Sequence, residues 1–228
     1  MRSILFTSAF LLALSAVTAA QMPGNPENWC RGGFFTRESE NFGVGYVKGK
    51  AGSRAYFYSD DKEACPDGAS CRSSSYLVPG NTVITNRTRA GYVCAWYAPR
   101  TGSPRVGWLR EADLEFPLML TSADEKVWTG EWRYAENTIT FTPNKLKGFL
   151  NVTGNAIWKG LGDNVHIGEL DGRAEHKNGV LKYADGTDKF DCQATMRLAI
   201  ETYLIVADNG NCGGANVSFS GIYRKKRK

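Results

Sequence analysis

Six cysteines and two histidines are the side chains of this 228-residue sequence with the widest chemistry. Thiolates and imidazoles together hold zinc, and a thiolate beside an imidazole can act as a nucleophile. The spacing speaks against metal, because His166 and His176 fit no zinc signature. The cysteines, Cys30, Cys65, Cys71, Cys94, Cys192 and Cys212, form an even set that reads as three disulfides once the chain is in an oxidising space. Cys65 and Cys71 flank PDGAS, whose Asp67-Gly68 is a turn signal, so they are expected to close a small loop. Cys192 and Cys212 are alone in their half and are expected to pair, which leaves Cys30 for Cys94. Closing a loop the size of 192 to 212 stabilises by roughly 3 kcal/mol in the loop-entropy account. Glu169 and Glu175 stand near His166, but carboxylates are ordinary on solvated strands and nothing fixes their separation. There is no Gly-x-Ser-x-Gly elbow, no phosphate-cradling glycine loop and no His-Glu-x-x-His. A non-catalytic chain without metal or cofactor is the expectation.

Oxidation requires export, and the first twenty residues, MRSILFTSAFLLALSAVTAA, read as a cleaved secretory signal: a basic start, an apolar run and small residues. No later apolar run approaches the roughly 18 residues needed to cross a bilayer. A periplasmic or secreted protein is expected. The formal charge is +5, but removing Arg2 and the run RKKRK at 224 to 228 leaves 22 basic against 23 acidic residues. A near-neutral body gives no reason to expect nucleic acid as a partner. The basic run reads as a tail able to touch an anionic surface.

The elements expected to position these residues are short strands. Both halves show β-rich runs broken by Gly, Asn, Asp and Pro, and neither has a long helical period. In the first half the strands are RAYFYS (54 to 59), SYLV (75 to 78), NTVITN (81 to 86), GYVCAWY (91 to 97) and RVGWL (105 to 109). In GYVCAWY, Val93, Ala95 and Tyr97 share the face that fills a core, while Tyr92, Cys94 and Trp96 share the other. A Cys30–Cys94 bond would draw the leader QMPGNPENWC across that second face and bring Trp29 near Trp96. Tyr56 and Tyr58 share a strand face and, with Trp108, are candidates for an aromatic groove that takes an extended peptide. LEFPLMLTSADEK, 114 to 126, is the linker candidate.

The second half offers eight consecutive strands without helical crossovers, which predicts an antiparallel meander closed into a barrel over 127–223. Cys192, Ala194, Met196, Leu198 and Ile200 are expected inside, as are Val217, Phe219 and Tyr223. His166, between Val165 and Ile167, is expected to point outward. DNGNCGGAN, 208 to 216, is expected to be a loop tied down by Cys212, and Asn86, Asn151 and Asn216 stand in glycosylation triplets.

The order AYFYSD, YLVPGNTV, GYVCAWY and GWLREADL, over residues 52 to 116, resembles the bacterial SH3-like domain family. The resemblance implies a small barrel over 21–118 that binds a cell-wall peptide or an exported protein segment. Such domains often accompany cysteine peptidases in which the nucleophile precedes its histidine; here neither Cys192 nor Cys212 has a histidine after it. WTGEW and SGIYR resemble the opening and closing strands of calycin-type barrels, which implies Arg224 packed over Trp132. SGIY, 220 to 223, is also similar to an inhibitor loop motif of exported lysozyme inhibitors. The fold expected is thus all-β, an SH3-like small barrel followed by a meander barrel. The function expected is binding in the cell envelope, with enzyme inhibition and small-ligand carriage as rivals.

Overall fold

The computed structural model describes residues 22–36, 41–117 and 124–226. The expected signal, 1–20, lies outside the described residues, as does the middle of the expected linker. The chain is all-β, half of it strand. After one helical turn, α1 (Gly32–Phe35), come seven antiparallel strands: β1 (Gly43–Val47), β2 (Ala55–Tyr58), β3 (Arg72–Leu77), β4 (Thr82–Arg89), β5 (Tyr92–Tyr97), β6 (Arg105–Arg110) and β7 (Leu114–Glu115). Their order is β3-β2-β6-β5-β4-β1-β7. The sheet curls round a core of Phe57, Val83, Val93, Ala95 and Leu109, and since β3 and β7 do not pair, the small barrel expected is an open, curled sheet.

Five of these strands, β2 to β6, fall on the runs expected from the sequence; β1 and β7 do not. The β1 sequence GVGYV hides its period behind two glycines, and packing explains them. A Cβ on Gly43 would stand 2.8 Å from the Thr85 hydroxyl oxygen, and one on Gly45 3.2 Å from Val83, so β1 lies close to β4 where a side chain would not fit.

One further helical turn, α2 (Glu125–Trp128), leads into the second body. Its strands are β8 (Gly130–Tyr134), β9 (Asn137–Pro143), β10 (Phe149–Lys159), β11 (Val165–Lys177), β12 (Val180–Ala184), β13 (Gln193–Ile200), β14 (Tyr203–Asp208) and β15 (Gly221–Lys225). Each pairs with the next and β15 returns to β8, closing the expected meander barrel. Its interior is filled by side chains, among them Phe141, Leu150, Met196, Phe219 and Tyr223. Trp128 and Trp132 plug one end; both are fully buried, and the Trp132 indole donates to the Trp128 carbonyl at 2.8 Å. At the other end the loop after β14 is tied to the start of β13 by Cys192–Cys212.

Three local expectations are corrected. Ile200 does not face the core: the pairing of β13 with β14 shifts between Leu198 and Ile200, and a bulge of this kind turns the following side chain to the outside. Val165 and Ile167 are the outward residues, 50% and 60% exposed. His166 turns the other way, its ring 5.2 Å from that of Trp158 and its Nδ1 at the Ala215 carbonyl. The β10–β11 hairpin runs past the barrel rim there, so apolar character no longer marks the inside. Lys225, not Arg224, stands over the Trp132 ring, 5.3 Å from its centroid. Lys225 is the cross-strand partner of Trp132, and Arg224, on the opposite face, lies 5.4 Å over Tyr203. The basic run therefore begins as barrel strand rather than tail.

Candidate binding surface

The second face of β5 is the natural place for a groove, and most of it is covered. Cys30 bonds to Cys94, Cys65 to Cys71 and Cys192 to Cys212, the three pairs expected. The Cys30 bond lays the segment before α1 over the face as a strap. Trp108 donates its indole N–H to the Asn28 carbonyl at 2.7 Å, and the Asn28 side chain donates to the carbonyls of Cys65 and Glu63. Asp60 accepts from the Cys30 backbone at 2.7 Å and pairs with Arg31 at 2.9 Å. The strap covers only part of the face. Ala199, Ile205 and Ile222 on the outside of the barrel complete one continuous cluster with Ile84, Trp96 and Trp108. Trp29 accordingly lies away from Trp96: it stacks on Phe34 at 5.6 Å, while Trp96 meets Tyr203 edge-on at 5.4 Å.

Of the three aromatic residues singled out by sequence, Tyr58 and Trp108 are brought together as direct cross-strand partners. Trp108 has no exposed surface and Tyr58 only 6%. Burial raises the Tyr58 phenol pKa, with nearby Arg110 opposing, so the ring stays neutral core. Tyr56 differs. It stands opposite Tyr76 of β3, ring centroids 5.7 Å apart. Arg72 lies 4.7 Å over Tyr56, and Arg54 lies 4.4 Å over the 42%-exposed Tyr76. The Tyr56 hydroxyl beside Arg54 is the main cause of a raised guanidinium pKa. Neither arginine makes an ion pair among the described residues. The result is a row, Arg54–Tyr76–Tyr56–Arg72, next to β3, whose outer edge pairs with no strand among the described residues.

Sequence reasoning missed Arg54, Arg72 and Tyr76. Their meeting depends on the β2–β3 register across a long intervening loop, which no local pattern announces. A row of this kind can hold planar or apolar groups on its rings and carboxylates on its guanidiniums, while an unpaired edge offers backbone hydrogen bonds to an extended chain.

Other chemistry is dispersed. His166 and His176 lie on one strand, about 33 Å apart at ten residues of extended chain. Among the described residues no group of three His, Cys, Asp or Glu side chains is placed to hold a metal ion, and no helix is long and apolar enough to cross a membrane. The fold and surface define a disulfide-bonded all-β protein with an open curled sheet packed against a filled barrel. Comparison with protein-family profiles, curated proteins and solved structures finds no match to this chain.

Proposed function

We propose that this protein is a non-catalytic, exported binding protein of the cell envelope. Its first sheet takes an extended peptide or protein segment along β3, with carboxylates of the segment on Arg54 and Arg72 and its side chains against Tyr56 and Tyr76. The carrying observation is the exposed arginine–tyrosine row beside an unpaired strand edge. Three disulfides support an oxidising compartment, periplasmic or extracellular. The ligand the SH3-like resemblance implies is a cell-wall peptide. Purified peptidoglycan should therefore sediment the protein, and Tyr76→Ala should release it while leaving the circular dichroism spectrum and melting temperature unchanged. A wild-type protein that stays wholly in the supernatant sinks the wall ligand.

Inhibition of a secreted enzyme is the second reading, favoured by the β10–β11 hairpin. Leu161 at its tip is 97% exposed between Gly160 and Gly162, and Ile157 and Ile167 form an exposed cross-strand pair below it. A target enzyme would lose activity at one-to-one stoichiometry, and Leu161→Asp would abolish the effect. Carriage of a small apolar ligand finds no support in a barrel whose interior is filled by its own side chains.

A further inference from the structure

Where the two bodies meet, near the plugged end of the barrel, a cleft of about 830 Å³ is lined by Arg100, Thr202, Tyr203, Arg224, Lys225 and Lys226. Arg100 comes from the β5–β6 connection, Thr202 and Tyr203 from the β13–β14 hairpin, Arg224 and Lys225 from the end of β15, and Lys226 from the residue after it. Four cations and two hydroxyls line this space, and none of the described residues that line it carries a carboxylate.

The cations are not equivalent. The Lys225 ammonium donates to the carbonyls of Lys126 and Val127 and so finishes α2. Lys226 shares Glu131 with Arg133, and these two neighbours, Arg133 first, hold the Glu131 carboxyl below the usual carboxylate range. Arg224 has a different role. Its Nε and one terminal nitrogen donate to the Tyr203 hydroxyl at 3.1 and 2.8 Å, and Tyr203 is fixed in turn by the edge of Trp96. The guanidinium is thus held in place by a neutral group, and it makes no ion pair among the described residues. Arg100 makes no hydrogen bond or ion pair among the described residues.

We propose that this cleft is a binding site for a phosphate-bearing ligand that carries at least two negative charges and bridges Arg100 of the sheet body to Arg224 of the barrel. Two guanidiniums lining one space, with no carboxylate among the described lining residues, are matched by an oxyanion with several oxygens: Arg100 can donate two parallel hydrogen bonds from its planar fork, and Arg224 can donate from the terminal nitrogen that Tyr203 leaves unused. A single carboxylate would leave one of them unmatched. Tyr203 and Thr202 supply hydroxyls at the same wall, and Lys226 adds a third charge shared with Glu131. The site is separate from the β3 edge. A ligand that touches both bodies stabilises the folded state by mass action.

The test uses the full-length protein with inorganic pyrophosphate as probe, followed by calorimetry and thermal unfolding at constant ionic strength. Saturable binding and a raised melting temperature are expected. Arg100→Gln and Arg224→Gln are each expected to weaken binding at least about tenfold, as loss of a charge-assisted contact should. Both side chains are exposed, so the variants should melt at the wild-type temperature without ligand. A variant carrying both Arg227→Gln and Lys228→Gln should bind like wild type. Vesicles of phosphatidylcholine with and without phosphatidic acid identify the source of the phosphate: retention by the acidic vesicles assigns a lipid headgroup, and binding of pyrophosphate alone assigns a soluble phosphoester. Absence of pyrophosphate binding, unchanged affinity in Arg100→Gln and Arg224→Gln, or equal affinity for citrate would each overturn the proposal.

Discussion

Tyr223 shows how a single side chain sets a pH limit on this fold. It is fully buried in the barrel, and its hydroxyl donates to the Phe219 carbonyl at 2.9 Å. Burial pushes its phenol well above the ordinary value, against a smaller lowering by the Asn137 side chain. In the unfolded chain the phenol ionises near pH 10. The stabilising contribution is therefore complete below about pH 10 and is lost as pH rises toward the folded value, by about 1.4 kcal/mol per pH unit. Tyr223→Phe should flatten the alkaline decline measured by urea unfolding between about pH 7 and 11. At neutral pH the same change should destabilise by about 1–2 kcal/mol, since a buried carbonyl loses its donor. An alkaline slope identical to wild type would show that another tyrosine, Tyr58 or Tyr183, dominates.

At the scale of the element, the strap before α1 has little regular structure and is fastened at several points. Its hold on the sheet is a disulfide closing a span of 64 residues, the Trp108 indole bond and the Asp60 carboxylate that collects Cys30 and Arg31. The crosslink alone is worth about 4 kcal/mol in the loop-entropy account. Asp60→Ala should destabilise by about 2 kcal/mol, the range for hydrogen bonds to a charged group, measured by chemical denaturation with the disulfides intact. Asp60→Asn keeps acceptor shape without the charge and should recover part of that loss. The strap was legible because two facts were local: an odd cysteine near the start and a strand, GYVCAWY, apolar on both faces. Which residues the strap would touch was not legible. Trp29 meets Phe34, a neighbour five residues on, instead of Trp96, because the other body already covers Trp96.

At the scale of the whole molecule, the sheet and the barrel share one hydrophobic cluster, so their stabilities are coupled. Ile205 and Ile222 are 1% and 5% exposed although both project from the outside of the barrel. The wild type should unfold in a single thermal transition. Ile205→Asp places an unpaired charge in that seam and should either split the transition in two or lower it by several degrees. A single transition at the wild-type temperature would mean that the bodies are stable independently. The outer apolar residues had a sequence trace: YLIVAD is apolar on both faces, the pattern of a strand covered on two sides. That pattern says a second layer exists without saying whose it is.

The sequence by itself determined the all-β class, the meander barrel, the Cys65–Cys71 loop and the inward set of β5, because each follows from a period of two or from a short spacing along the chain; Cys30–Cys94, which spans 64 residues, was reached only as the remaining pair. Only the tertiary structure decided that Tyr58 and Trp108 are core, that Tyr56 joins Tyr76 between two arginines, and that Arg100 and Arg224 line one cleft. Those meetings depend on register across long loops and on the docking of two bodies. Such contacts arise from the sum of many weak packing terms and leave no periodic mark on either partner.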